Sequence, residues 1–199
     1  TAHGFHQCRS ALGLDMEDIQ VGSGDTDATP VDIGSWISGL TLVTGNAVKK
    51  AAEDARRVLL ASASKALQSS PGDLELRSRR VFVKGTDRSI SFARAVADHI
   101  RDNDGDPIVG RGYSRALKEA EFGPSLKNAK GTWSESYAFD AQIAEVEVDT
   151  RTGQIKITRA FTAHDCGFPI NPLLVEGQID GQASMAAGQA IAEEVIMQE

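Results

Sequence analysis

Apolar residues recur every three or four positions through Leu40, Val43, Ala47, Ala51, Ala55 and Leu59. That spacing predicts a long helix with one apolar face. Lys49, Lys50, Glu53, Asp54, Arg56 and Arg57 fall mostly off the face. Gly45 inside this run costs about 1 kcal/mol relative to alanine, so a close approach to the backbone is expected there. The helix should end near Ser69-Ser70-Pro71-Gly72. A different rhythm governs Ala144, Val146 and Val148, which alternate with Glu145 and Glu147. Asp149-Thr150-Arg151-Thr152-Gly153 then turns, and Ile155 and Ile157 return, so a β-hairpin is predicted. Residues 160–164 are expected to add a third strand.

Weaker signals fill in the rest. The first dozen residues read as a helix end with Gly13 as its stop. Ile19-Gln20-Val21 alternates as a short strand, and residues 22–35 form a long loop rich in Gly, Asp, Thr and Pro. A hairpin is expected over 74–84, turning at Ser78 or Arg79. A second helix is expected over 90–100, with Phe92, Val96 and Ile100 on its apolar side. Ile108-Val109 reads as a short extended piece, and residues 121–134 as irregular. Asn171-Pro172 introduces a last helix from Leu173 to about Val195. Helices and strands interleave without a strict βαβ rhythm, which predicts an α+β fold with mixed sheets and packed helices.

The 199 residues can make one domain or two smaller subdomains, with a division expected at 135/136. Their formal charge of -7 argues against a nucleic-acid partner bound through a broad basic face. The one basic run, Arg77-Ser78-Arg79-Arg80, reads as a solvated edge. No apolar stretch approaches the roughly 20 residues that span a bilayer, so no membrane partner is expected. Thr1 is not an initiator residue, so the chain is expected to be a piece of a longer protein. Cys8 and Cys166 are too few and too far apart for a disulfide framework, which fits a reduced, cytoplasmic setting.

Four stretches carry candidate chemistry. Gly34-Ser35-Trp36-Ile37-Ser38-Gly39-Leu40-Thr41 leads from the loop into the long helix. A helix start offers unpaired N–H groups and partial positive charge, and small residues let an anion come close. Either this is a phosphate cradle with Ser38 and Thr41 as hydroxyl donors, or Ser38 simply caps the helix. It is not a Walker loop, because no Gly-Lys-Ser/Thr follows. Asp25-Thr26-Asp27 fails the EF-hand pattern, having Pro30 at the sixth position and Trp36 at the twelfth, and reads as an Asx-type turn. His3, His6 and His164 with Cys8 and Cys166 lack metal-ligand spacing, so no metal is expected on them. In the last helix, Gly177 and Gly181 together cost roughly 2 kcal/mol. Tight helix packing or a ligand against the backbone would offset that, and Gln178 and Gln182 share a face from which amides could reach a polar ligand.

These segments together resemble the molybdenum hydroxylases: xanthine dehydrogenases, aldehyde oxidoreductases, carbon monoxide dehydrogenases and 4-hydroxybenzoyl-CoA reductases. The matching text runs from Ala11-Leu12-Gly13-Leu14 through Gly24-Asp25-Thr26-Asp27-Ala28-Thr29-Pro30 and Val31-Asp32-Ile33-Gly34-Ser35 to Gly45-Asn46-Ala47. It resumes at Ala144-Glu145-Val146-Glu147-Val148-Asp149 and Ala163-His164-Asp165-Cys166-Gly167. Ile170-Asn171-Pro172-Leu173 and Glu176-Gly177-Gln178-Ile179-Asp180-Gly181 complete it.

The resemblance implies part of the molybdopterin-binding domain of the large subunit, with 1–199 all inside it. It implies that Ile37, Ser38, Gly39, Leu40 and Thr41 hold the phosphate of molybdopterin cytosine dinucleotide, and that Gln178 also contacts that cofactor. Molybdenum would sit on the pterin. The 2Fe-2S centres and FAD would belong to partner domains or subunits, and the substrate would be a small aromatic or heterocyclic molecule. Two departures stand out. Relatives often carry Arg where Gly39 stands, which removes a bidentate phosphate partner. Met185-Ala186 and Gly188-Gln189-Ala190 look closer to 4-hydroxybenzoyl-CoA reductase than to xanthine dehydrogenase.

The family's catalytic glutamate lies in a Gly-Glu-Pro segment that this chain lacks, so no catalytic residue is expected in it and the isolated chain should not turn over substrate. The alternative from another class is a non-enzymatic phosphate- or nucleotide-binding module using the same helix start.

Overall fold

The computed structural model describes residues 8–30, 34, 38–114 and 137–197. The chain forms two compact units, Thr1–Glu135 and Ser136–Glu199.

The first unit is built on α1, Leu40–Leu67. Its 28 residues span roughly 42 Å at 1.5 Å per residue. The helix stops where Gln68 turns into the left-handed region at φ 46°, with Ser69 N–H reaching back to Ser64 O at 3.2 Å. Arg88 donates to the carbonyl of Leu67, satisfying one of the last orphan acceptors. The chain then forms the antiparallel strands β1 (Leu74–Arg77), β2 (Arg80–Val83) and β3 (Ser89–Ser91), in that order. Helix α2, Phe92–Asp102, follows, capped by the Ser91 hydroxyl accepting from Arg94 N–H.

The core lies where the second half of α1 meets this sheet and α2. Leu59, Leu60, Ala63, Leu67, Leu74, Val81, Val83 and Ala95 are buried together, with Phe92, Val96 and Ile108 packed against them.

The hairpin turn falls at the expected place. Ser78 and Arg79 both adopt positive φ, 49° and 59°, the geometry that matches strand twist in a two-residue hairpin. Neither is glycine, and the environment holds them. Arg79 N–H donates to Gly13 O at 3.1 Å, and its guanidinium pairs with Asp18 at 2.6 Å and Asp15 at 3.0 Å. Gly13 is itself required: its φ is +61°, and a Cβ there would lie 2.5 Å from the Leu76 carbonyl.

The second unit consists of β4 (Phe139–Val148), β5 (Ile155–Asp165) and α3 (Pro172–Ile191). β4 and β5 pair antiparallel from Phe139↔Asp165 to Val148↔Ile155 with an irregularity at Glu145/Val146. Gly153, at φ 76°, closes the turn. Asn171 caps α3, its side-chain oxygen accepting from Leu174 N–H at 3.2 Å. No described residue of this unit is buried.

The α+β class is borne out, with antiparallel pairing in both sheets. Several local expectations need correction. Residues 160–164 are the continuation of β5 rather than a third strand, because the bulge at Glu145/Val146 lets one pairing run on. Ile19-Gln20-Val21 forms no strand; a 3-10 turn at Met16–Asp18 precedes it and no described strand pairs with it. Residues 89–91 add an edge strand where a helix start was expected. Of the six apolar positions on α1, only Leu59 is buried, and the core face is carried by Ala52, Leu59, Leu60, Ala63 and Leu67. Gly45 is buried, yet no described atom comes within 4 Å of where its Cβ would be. Residues 121–134 lie outside the described residues, and no described helix is long and apolar enough to cross a membrane.

Candidate functional site

The start of α1 differs from the other helix starts. α2 and α3 are capped by the side chains of Ser91 and Asn171. α1 begins at Gly39, at φ -84° and ψ 2°, with no side-chain cap and no acidic residue in its first turn. The expectation that Ser38 caps the helix is therefore corrected: Ser38 sits one residue earlier, in the left-handed region at φ 54°, so its hydroxyl does not cap. Among the described residues Val43 N–H is the first to close a helical bond, to Gly39 O at 2.9 Å. Among the described residues no carbonyl accepts from the N–H groups of Leu40, Thr41 or Leu42.

Ser38, Leu40 and Thr41 are exposed and Gly39 is half-buried. Among the described residues no sheath of apolar side chains covers the segment. Backbone N–H donors, two hydroxyls and the positive end of a long helix make a donor set that finds no acceptor among the described residues, which is chemically fitted to an anion. The structure thus brings Ser38, Gly39, Leu40 and Thr41 together at one helix end. Ile37, the fifth residue expected there, lies outside the described residues.

Gln178 belongs to the second unit, exposed in the second turn of α3. Neither Gly177 nor Gly181 has a described atom within 4 Å of where a Cβ would stand. Helix packing within the described residues therefore does not account for the two glycines. Their faces are open.

Beside the start of α3 lies a depression of about 290 Å³, lined by His164, Asp165, Cys166, Gly167, Pro172 and Glu176 among others. The His164 Nδ1 atom is enclosed and has no hydrogen-bond partner among the described residues. Gly167 N–H donates to Asp165 Oδ1 at 2.9 Å, which fixes the bend between β5 and α3. His164 and Cys166, whose spacing in the sequence argued against a metal, thus line the same depression as Asp165 and Glu176. The described residues contain no cluster of His, Cys, Asp and Glu fit to hold a metal ion. His3 and His6 lie outside them. At Asp25, the expected Asx turn is present, with Asp27 N–H donating to the carboxylate at 2.9 Å.

Comparison with known proteins identifies the family. The family model described as molybdopterin cofactor-binding domain matches residues 5–199. The 6-hydroxypseudooxynicotine dehydrogenase complex subunit gamma of Paenarthrobacter nicotinovorans is 34% identical over 192 residues, covering 94% of this chain and 22% of that protein. The probable hypoxanthine oxidase XdhD of Escherichia coli K12 is 34% identical over 185 residues, covering 90% and 17%. Reconstituted CO dehydrogenase from Oligotropha carboxidovorans superposes with a TM-score of 0.78 at 25% identity, over 99% of this chain and 23% of that one. The chain thus spans about a fifth of the length of these relatives. It belongs to the molybdopterin cofactor-binding domain family, as part of the large-subunit lineage of the molybdenum hydroxylases.

Proposed function

We propose that this chain holds molybdopterin cytosine dinucleotide within a molybdenum-dependent oxidoreductase, its two units acting as subdomains of one cofactor-binding domain. The observation that carries the reading is the uncapped, solvent-facing start of α1 in a member of a pterin-binding family. The N–H groups of Ile37 to Thr41 and the hydroxyls of Ser38 and Thr41 donate to the cofactor's phosphates. Gln178 donates its side-chain amide to the same cofactor.

The bound cofactor supplies the exchange of oxygen and electrons with substrate. The protein residues bind it, orient it and set the field around it. Gly39 leaves the backbone accessible but offers no guanidinium, so the grip on phosphate is mainly through backbone and hydroxyl donors.

The substrate is a small aromatic or heterocyclic molecule, a class that agrees with the hypoxanthine in one relative's name. Kinship to 4-hydroxybenzoyl-CoA reductase rests on Met185-Ala186 and Gly188-Gln189-Ala190 alone. The 2Fe-2S and FAD groups reside on partner domains or subunits, in line with a relative named as one subunit of a complex. Two free cysteines, Cys8 and Cys166, suit a cytoplasmic setting.

Cofactor content tests the reading. In the full-length protein, replacing Ser38 and Thr41 with alanine and valine, and separately Gln178 with alanine, should lower the pterin recovered per folded subunit. Unchanged pterin in all of these variants would return the α1 start and the α3 glycines to purely structural roles.

A further inference from the structure

The start of α1 stands far from the core that anchors the helix. The core-buried leucines begin at Leu59, which is roughly 28 Å along the axis from Leu40. A helix held only at its distal half is a lever, so a small tilt at the core becomes a large displacement at the tip. Cofactor grip of the kind proposed above tolerates only about 0.5 Å of such movement.

A second hold on the helix comes from residues 107–113. They run as extended chain beside the stripe Ala47, Ala51, Ala55. Ile108 is tucked against the core. Gly110 and Gly112 press on the helix so closely that a Cβ would lie 2.0 Å from Ala51 O and 2.1 Å from Ala47 O, respectively. Those are backbone atoms, which cannot swing aside. Two polar contacts fasten the segment: Arg111 N–H donates to Asp54 Oδ2 at 3.1 Å, and Lys50 Nζ donates to the Tyr113 carbonyl at 3.1 Å. Asp54 is itself held by Arg57 at 2.8 Å. The order of contacts, Gly110 at Ala51 and Ala55 and Gly112 at Ala47 and Ala51, shows the strap running toward the helix start. Two extended residues cover about one helical turn, so the two stay in step.

We propose that Gly110 and Gly112, with Asp54 and Lys50, are positioning residues that clamp the middle of α1 and so hold its phosphate-gripping start in place. This rests on the reading of the α1 start given above. It explains why small residues line that stripe although the core does not use it, and why glycines recur at alternate positions of the strap, where successive side chains on one face would strike the helix.

The test uses the full-length protein in its native assembly, with pterin released and quantified by fluorescence for every correctly sized, folded preparation. Gly112→Ala and Gly110→Ala should lower pterin per folded subunit about tenfold at limiting cofactor, the scale on which supporting contacts act. Asp54→Ala should lower it less, and Asp54→Asn, which keeps an acceptor oxygen for Arg111 N–H, should restore it. If the glycine variants do not fold, Asp54→Ala and Asp54→Asn carry the test by themselves, the Asp54 side chain being only half-buried.

Full pterin occupancy with only a reduced melting temperature, or an equal loss in Asp54→Ala and Asp54→Asn, would overturn the clamp. Ser38→Ala with Thr41→Val separates the two ideas. Loss of pterin there but not in the strap variants refutes the clamp alone; no loss in either refutes the reading beneath it.

Discussion

The two units treat their apolar residues in opposite ways. In the first, Leu59, Leu74 and Val81 are at most 1% exposed and sit in one cluster fed by a helix, a hairpin and a second helix. In the second, β4 is exposed along its whole length, with Phe139 and Ile143 72% and 67% exposed, although its alternation is that of a half-buried sheet. Likewise α3 displays Leu173, Leu174 and Met185 to solvent. Hydrophobic pattern therefore records what a segment packs against in its complete setting. The relatives, about five times as long as this chain, indicate how much covering surface such a setting offers.

Core truncation should break this symmetry most. Leu59→Ala or Leu74→Ala should cost about 3 kcal/mol in urea unfolding of the 199-residue chain, since each empties a sealed site. Ile143→Ala should stay below about 1 kcal/mol in the same chain. In the full-length protein, Ile143→Ala should rise toward the core value if β4 is covered there. Equal costs for Leu74→Ala and Ile143→Ala in the short chain would erase the contrast.

Glycine sharpens it further, with opposite signs. Gly13→Ala should destabilise the first unit by about 2 kcal/mol, because the left-handed backbone and the Leu76 carbonyl both resist a methyl group. Gly177→Ala faces open space in this chain and should raise α3 helicity, worth about 1 kcal/mol by propensity. Circular dichroism of the two variants during melting separates these outcomes. A helicity loss in Gly177→Ala would mean that something already packs there.

How legible this was from residues alone follows the same division. The long helix, the 74–84 hairpin, the capped last helix and the 144–157 hairpin could all be read, because each is specified by local spacing and turn chemistry. The buried face of α1 was misread. Ala47, Ala51 and Ala55 have apolar spacing, but their partner is a glycine strap 60 residues away, and nothing in a 3.6-residue period distinguishes that from a core. β3 was missed because three residues running straight into a helix cap carry no periodicity of their own. At the site, the α1 start was recognisable as an anion cradle, but the shift of the cap from Ser38 to Gly39 depends on a backbone angle that composition does not reveal.

Helix caps extend the comparison at a smaller scale. Ser91→Ala and Asn171→Ala each remove one hydroxyl or amide acceptor, a change of about 1 kcal/mol. α2 is built into the core, so its loss should appear as lower global stability. α3 has no buried residue, so Asn171→Ala should appear as local fraying, with faster amide hydrogen exchange confined to residues 172–176. Global loss from Asn171→Ala would show that α3 is coupled to more than its own unit.

The smallest effect concerns two aspartates whose acidity has different origins. Hydrogen bonding from Arg79 lowers the Asp18 carboxyl below the ordinary aspartate range. In the second unit, the backbone N–H of Arg151 lowers Asp149, with the Thr152 hydroxyl adding to it. Both carboxyls titrate lower in the folded chain than in the unfolded one. Their contribution is therefore complete above the unfolded value of about 3.9 and disappears as the pH falls through the folded one. Arg79→Gln should raise the Asp18 titration midpoint toward the ordinary range in a carboxyl-carbon NMR titration, and leave Asp149 where it is. Arg79 also holds the strained turn at Ser78-Arg79, so the same variant should loosen the β1–β2 amides in hydrogen exchange. If Asp18 keeps its low midpoint without Arg79, its acidity comes from the Asp15 N–H at 3.0 Å, and both aspartates would then owe it to backbone donors.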